Sequence, residues 1–97
     1  MKIEKIRERT DAPAQVLRQI RVELNLSQEE IGRRIQVDRA YVSALEVGRR
    51  YPSLDMLIAF AKAFEKRPGE LLDRISERID SGKAKPLKTR QAGPTDL

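Results

Sequence analysis

Apolar residues recur at helical spacing in two short stretches that lie very close together along the chain. In the first stretch, Ile31 and Ile35 repeat at i and i+4, and charged or amide side chains fill the positions between them. In the second, Val42 and Leu45 repeat at i and i+3. Because only about three residues separate the two patterns, they predict a helix-turn-helix from about Ser27 to Val47.

Several residues of this stretch indicate where its helices begin and how they pack. Ser27 is followed three residues later by Glu30, which is the spacing of a capping box. Asp38 is the N-cap candidate of the second helix. Gly32 lies inside the first helix, where glycine costs roughly 1 kcal/mol relative to alanine. We therefore expect Gly32 to allow a close approach of the second helix.

The second helix of the motif carries an unusual set of side chains beside its apolar stripe. They are Arg39, Ala40, Ser43 and Ala44. An arginine can bind O6 and N7 of guanine together, a serine can reach a base or a phosphate, and an alanine can contact the methyl group of thymine. An ordinary solvent-facing helix would carry more lysine and glutamate. This face is therefore suited to the major groove of DNA, with Arg39 as its one long polar side chain.

At these residues the chain resembles the lambda-repressor-like family of helix-turn-helix DNA-binding domains, also called the Cro/C1 or XRE type. The resemblance covers roughly Leu17 to Leu72 and rests on the runs SQEEIG, YVSALEVGRRYPSLDML and ELL. It implies an all-α, compact five-helix domain that binds double-stranded DNA. No cofactor is implied.

The resemblance also implies roles for individual residues. Gln28 matches the family position that contacts a DNA phosphate and braces the recognition helix. The four residues beside the apolar stripe of the second helix match positions that face base edges or the adjoining backbone. Arg49 and Arg50 match a basic loop that binds phosphates. Tyr51, the next residue, either contacts the DNA backbone or covers the core, and we do not include it in the site.

One further match and one departure from the family pattern concern the structure of the domain. Arg21 and Glu46 match a pair that forms a buried salt bridge between the first and third helices of relatives. Gln36 stands at a turn position that the family usually fills with glycine, so it is expected to adopt a left-handed backbone at a cost of about 1 kcal/mol.

Two more helices are predicted, one before the motif and one after it. The first opens at Asp11 and Pro13, stops near Asn25, and buries Leu17, Ile20 and Leu24. The second follows the N-cap candidate Ser53 and buries Leu54, Leu57, Ile58, Ala61 and Phe64.

A last helix restarts at Pro68 and carries the apolar residues Leu71, Leu72, Ile75 and Ile79. Because Ile75 and Ile79 lie beyond the residues that the family fold needs for its core, we expect Leu72, Ile75 and Ile79 to form a homodimer interface. The alternative is that this helix folds back on its own domain. In the family, homodimers often meet in this region, which would place two recognition helices about 34 Å apart on DNA.

Length and composition fit one small domain with a basic surface. The chain has 97 residues, with 20 Lys and Arg against 15 Asp and Glu and a formal net charge of +5, so polyanions are favoured as partners. We divide it into an N-terminal arm or short turn over residues 1–10, the DNA-binding domain over 11–80 and a disordered basic tail over 81–97.

Missing residue types exclude several chemistries. The chain has no cysteine and no histidine, which rules out disulfides and every metal site or catalytic triad that needs histidine. No glycine-rich phosphate loop and no set of nucleophile and base is visible, so an enzyme is not expected. There is neither a signal-peptide pattern nor an apolar run long enough for a membrane span, and we expect a cytoplasmic protein with no membrane partner.

These observations favour a sequence-specific transcriptional regulator, with repression as the preferred outcome. It would insert the helix from about Asp38 to Val47 into the major groove as a homodimer on an inverted repeat. Phage-type repressors, controllers of restriction-modification genes and antitoxins with this domain share these sequence features. The alternatives are a protein-interaction module that binds a partner such as a toxin, a nonspecific architectural DNA binder, and a helical structural domain without nucleic acid.

Overall fold

The computed structural model describes residues 8–87, which form five α-helices joined by short loops. The helices are α1 (Ala12–Glu23), α2 (Gln28–Ile35), α3 (Arg39–Glu46), α4 (Leu54–Ala63) and α5 (Pro68–Asp80). The predicted all-α, five-helix architecture is confirmed, and α2 and α3 are the predicted helix-turn-helix. No helix in residues 8–87 is long and apolar enough to cross a membrane.

The core lies between α1 and the other helices. Helix α1 packs against α3 on one side and α5 on the other, while α4 contacts α2 and α5. The largest wholly buried side chains come from all five helices: Val16, Leu17, Ile20, Ile31, Val42, Leu45, Phe60 and Leu71. The recognition helix α3 is thus anchored to the core by its apolar residues Val42 and Leu45.

Helix α1 begins and ends close to the predicted residues. The Thr10 hydroxyl accepts a hydrogen bond from the Ala12 amide at 3.1 Å, and Asp11 does not use its carboxylate as a cap. Asn25, with a φ of 62°, turns the chain away after the helix, as predicted. The predicted burial of Leu24 is wrong, because Leu24 follows the last helical residue and is 39% exposed. Leu26 packs against the core instead.

The turn between α2 and α3 follows the sequence expectations closely. Ser27 and Glu30 form the capping box, with hydrogen bonds of 2.9 and 3.0 Å. Gln36 has a φ of 64°, in the left-handed region, as predicted. A Cβ atom on Gly32 would lie 2.6 Å from the backbone oxygen of Val37. Glycine is therefore required at position 32 for the close approach of the turn.

Helix α4 is capped as predicted but buries a different set of residues. The Ser53 hydroxyl accepts a hydrogen bond from the Met56 amide at 3.0 Å. The predicted burial of Leu54 is wrong, since this first helical residue is 63% exposed. Phe60, which the sequence analysis did not place in the core, is wholly buried there and lies 5.8 Å from Phe64 between ring centres.

Helix α5 presents two apolar stripes that differ in their surroundings. Leu71 and Ile75, at i and i+4, are buried in the core of the domain. Leu72 and Ile79 are 46% and 45% exposed. Ile75 is therefore not surplus to the core, and the expectation that it forms a subunit interface is corrected, because its side chain is already covered by its own domain.

The chain after α5 returns to the beginning of the domain. Residues 9–11 and 85–87 run antiparallel with a bridge between Thr10 and Pro86, and we call these two segments the terminal clasp. The predicted N-terminal arm and C-terminal tail are described only in part, because residues 1–7 and 88–97 lie outside the described range. Within that range, the start of the predicted tail is hydrogen-bonded to the start of the domain.

Candidate nucleic-acid interface

A buried ion pair joins the first helix to the recognition helix. Arg21 donates from Nε to Oε2 of Glu46 at 2.6 Å and from Nη2 to Oε1 at 3.0 Å. The two side chains are only 14% and 2% exposed. The hydrogen bond with Glu46 raises the pKa of Arg21 above its ordinary value. The two residues that family resemblance pairs are therefore in contact, and they are largely out of water.

The same arginine also fixes the loop before α2. Its Nη1 atom donates to the backbone oxygen of Leu26 at 2.8 Å. Three elements therefore meet at Arg21: its own helix α1, the loop that leads into α2, and the C-terminal end of α3. This one guanidinium group therefore links both motif helices to α1.

Gln28 extends this network to the exposed face of α3. Its Nε2 donates to Oε1 of Glu46 at 3.0 Å, and its Oε1 accepts from Nη1 of Arg39 at 2.9 Å. Only one orientation of the amide satisfies a carboxylate on one side and a guanidinium on the other. Gln28 therefore braces the recognition helix as predicted, and its contact with a DNA phosphate stays a prediction.

The four predicted recognition residues lie on one stripe of α3 but differ in exposure. They occupy positions i, i+1, i+4 and i+5, which share a face of a helix. Arg39 and Ala40, at the first turn, are exposed, whereas Ser43 and Ala44 are partly covered. The Ala44 carbonyl accepts hydrogen bonds from the Arg49 and Arg50 amides at 2.9 and 3.2 Å. The basic loop therefore folds back over the C-terminal end of this stripe.

That loop exposes two arginines beside the recognition helix. It turns at Gly48, whose φ is 83°, and both Arg49 and Arg50 are exposed. The guanidinium carbon of Arg50 lies 5.2 Å from the ring centre of Tyr41, on the first turn of α3. The basic loop that carries Arg49 and Arg50 thus lies directly beside the helix that carries the predicted base-reading residues.

A family model described as helix-turn-helix matches residues 17–71, more than half of the chain. The chain belongs to this helix-turn-helix family, in its Cro/C1 or XRE branch. It is a DNA-binding transcription regulator. The lambda-repressor-like resemblance is confirmed.

Three relatives show how far the similarity extends. Control protein C.BamHI of Bacillus amyloliquefaciens is 40% identical over 60 residues, which cover 61% of this chain and 74% of the relative. The restriction-modification controller protein C.AhdI from Aeromonas hydrophila is 37% identical with a TM-score of 0.59, over 62% of this chain and 91% of that structure. A hypothetical transcription factor from Neisseria, NHTF, is 34% identical with a TM-score of 0.61, over 72% and 80% of the two chains.

The region that matches the helix-turn-helix family does not include every part of this regulator. It begins at Leu17 and ends at Leu71, so it contains the Arg21 to Arg39 network and the basic loop. The exposed Leu72 and Ile79 of α5 and the terminal clasp lie outside it.

Sequence reasoning missed one basic residue that contacts the basic loop. Arg9, from the terminal clasp, places its guanidinium carbon 4.7 Å from the ring centre of Tyr51, in the basic loop. No local spacing could have revealed this contact, because Arg9 precedes the helix-turn-helix in the sequence and Tyr51 follows it.

Within residues 8–87, no three His, Cys, Asp or Glu side chains cluster as metal ligands would.

Proposed function

We propose that this regulator represses transcription by inserting α3 into the major groove of a specific DNA sequence, as a homodimer on an inverted repeat. The observation that carries the proposal is the network from Arg21 through Glu46 and Gln28 to Arg39. It holds the one long polar side chain of the exposed face in a fixed position. A side chain that is held before binding loses less conformational entropy when it binds a base.

Within this surface, base reading and phosphate binding fall to different residues. Gln28 occupies only one of the guanidinium N–H groups of Arg39, and an arginine has five, so a bidentate contact with guanine remains available. The methyl groups of Ala40 and Ala44 suit thymine, and Ser43 suits a base or a phosphate. Arg49 and Arg50, with the amide of Gln28, would hold the flanking phosphates.

The dimer is proposed to meet through α5. Leu72 and Ile79 lie one above the other at i and i+7, and both are about half exposed. Two such side chains cover much less than the roughly 800 Å² per partner of a stable interface. We therefore expect the dimer to be weak in free solution. It should form fully when two half-sites about 34 Å apart bind the two subunits.

Among the regulators that share this domain, a controller of restriction-modification genes is the type we favour. The support comes from two relatives at 40% and 37% identity: C.BamHI is a control protein, and C.AhdI is a restriction-modification controller protein. The antitoxin alternative has no such support. It would gain support if a second chain co-purified with this protein from its source.

Selection of bound duplexes from a random pool tests the proposal directly. We expect a palindromic sequence that binds about a thousandfold more tightly than random DNA. The Arg39→Ala variant is the matched comparison, and it should lose about 1 to 3 kcal/mol of discrimination at a single position of each half-site. A pool without enrichment, with binding that disappears as salt rises, would instead indicate a nonspecific binder.

A further inference from the structure

The terminal clasp joins the two ends of the described chain by three hydrogen bonds. The Asp11 amide donates to the Lys85 oxygen at 2.9 Å, and the Lys85 amide donates back to Oδ1 of Asp11 at 2.9 Å. The Leu87 amide donates to the Arg9 oxygen at 3.1 Å. Thr10 and Pro86 form the bridge between these bonds. The backbone of Arg9 is therefore held at its own carbonyl oxygen and by the hydrogen bonds of Asp11, two residues later in the chain.

The clasp lies against the basic loop that follows the recognition helix. A Cβ atom on Gly48 would come within 3.4 Å of Cδ2 of Leu87, so the end of the clasp borders the first residue of that loop. The Arg9 side chain lies over the ring of Tyr51, which follows Arg50 directly. The clasp thus brings an arginine from the beginning of the chain onto the surface that carries Arg49 and Arg50.

Aromatic rings orient two of these three arginines. Arg50 lies over Tyr41 at 5.2 Å, and Arg9 lies over Tyr51 at 4.7 Å. A guanidinium that stacks on a ring keeps its N–H donors at the edge of the plane, where they can bind a phosphate. Neither arginine forms an ion pair with a carboxylate within residues 8–87. Both are therefore oriented without being neutralised by a described acidic side chain.

We propose that Arg9 is a third phosphate-binding arginine of the DNA interface, and that Tyr51 and the terminal clasp are its positioning elements. This inference rests on the proposed function, since it needs α3 and the basic loop to face DNA. It extends the interface beyond residues 17–71, the region that the helix-turn-helix family model matches. The occupant is a backbone phosphate of the same duplex that α3 reads.

The test compares full-length variants on the selected duplex and on a random duplex across a salt series. Log affinity falls as log salt concentration rises, and loss of one phosphate contact should make this slope shallower by about 0.9. The affinity itself should become roughly five- to tenfold weaker near 0.1 M salt. We expect this result for Arg9→Gln on both duplexes, because a phosphate contact carries no sequence information. Arg9→Lys, which keeps the charge, should retain the slope.

Two further arginines calibrate the measurement. Arg49→Gln should lower the slope to the same extent as Arg9→Gln. Arg67→Gln removes the same charge at an exposed position at the start of α5, away from the basic loop in the sequence, and should leave the slope unchanged. Charges farther from DNA than the screening length of about 10 Å at 0.1 M salt contribute little.

Variants of Tyr51 test the positioning role. Tyr51→Phe keeps the ring and should bind like wild type, whereas Tyr51→Leu should bind about two- to fivefold more weakly. The loss on Tyr51→Leu should vanish in the Arg9→Gln background, because the ring then has no guanidinium to hold. An equal loss in Tyr51→Phe and Tyr51→Leu would instead assign the contact to the Tyr51 hydroxyl and overturn the positioning role.

The remaining outcomes separate this inference from the proposed function. If wild type binds no duplex at any salt concentration, the proposed function fails. If wild type binds the selected duplex but Arg9→Gln behaves like Arg67→Gln, only the phosphate role of Arg9 is overturned. If Arg9→Gln and Arg9→Lys both melt at a lower temperature and both lose affinity, Arg9 is a structural residue and the proposal is equally overturned.

Discussion

Helix α1 carries two charged residues, Arg21 and Glu23, that form ion pairs with different helices in very different surroundings. Arg21 pairs with Glu46 of α3, and the two side chains are 14% and 2% exposed. Glu23 pairs with Arg74 of α5, and these side chains are 56% and 32% exposed. Each pair has two hydrogen bonds between a guanidinium and a carboxylate. Burial and additional partners are what distinguish them.

The same type of ion pair serves two different purposes in this domain. The buried pair shares its carboxylate with Gln28 and its guanidinium with the Leu26 oxygen, so it determines how α3 sits relative to α1 and α2. The exposed pair connects α1 and α5, and neither of its hydrogen bonds involves the recognition helix. Exposed pairs contribute little to stability because water and salt screen them. Substitutions in the Arg21–Glu46 pair should therefore reduce DNA recognition, whereas substitutions in the Glu23–Arg74 pair should hardly change it.

The largest effect is expected from Arg21→Ala. Removal of the guanidinium leaves the Glu46 carboxylate buried without its main partner, which should lower the free energy of unfolding by about 3 to 5 kcal/mol. Urea unfolding followed by circular dichroism measures this loss. A loss below about 1 kcal/mol would mean that the pair behaves like an exposed one.

The double variant Arg21→Met with Glu46→Met is the control for that experiment. It removes both charges and leaves apolar side chains of similar length, so no buried carboxylate is stranded. We expect it to be more stable than the single Arg21→Met variant. Its DNA affinity should nevertheless fall, because Gln28 loses the carboxylate that orients its amide.

An intermediate effect is expected from Gln28→Ala. Loss of its hydrogen bonds should reduce the free energy of unfolding by about 1 kcal/mol. The larger consequence is for recognition, since Arg39 is no longer held, and the preference for the selected duplex over random DNA should fall by roughly tenfold. Glu29→Ala, at the next and exposed position of α2, is the control and should keep the preference. Equal weakening on both duplexes would assign Gln28 to a phosphate alone.

Sequence patterns predicted the local features of this domain well because those features depend on nearby residues. The capping box of Ser27 and Glu30 needs only three residues of spacing. The left-handed backbone of Gln36 was expected through family resemblance, because the family usually has glycine at that turn position. The Arg21–Glu46 pair was anticipated only through family resemblance, since the two residues lie in different helices.

What the patterns missed depends on where distant segments of the chain come to lie. Leu54 fits the apolar stripe of α4, yet no other element covers the first residue of that helix. Ile75 looked surplus to the core, but α5 packs against α1 and α4 far enough along to bury it. The contact of Arg9 with Tyr51 requires the return of the chain after α5. Helical periodicity cannot report such contacts.

The smallest effect is expected from the exposed pair, and it appears in the pH dependence. The hydrogen bond from Arg74 lowers the pKa of Glu23 below its ordinary value of 4.5. A carboxylate with a lowered pKa stabilises the folded state above the pKa of the unfolded chain, and this contribution disappears as the pH falls through the lowered value. Wild type should therefore melt slightly above Glu23→Gln near neutral pH, and the two melting curves should converge in acid.

Arg74→Gln should give the same convergence, because it removes the other half of the pair, and added salt should narrow the difference at neutral pH. The acid sensitivity that remains in Glu23→Gln has an independent source in Glu30, whose pKa is lowered chiefly by the hydrogen bond from the Ser27 amide. Neither variant should change DNA selectivity. A melting difference that stays constant from neutral pH into acid would show that Glu23 acts through packing. The two pairs would then differ in how their side chains pack and not in how their charges interact.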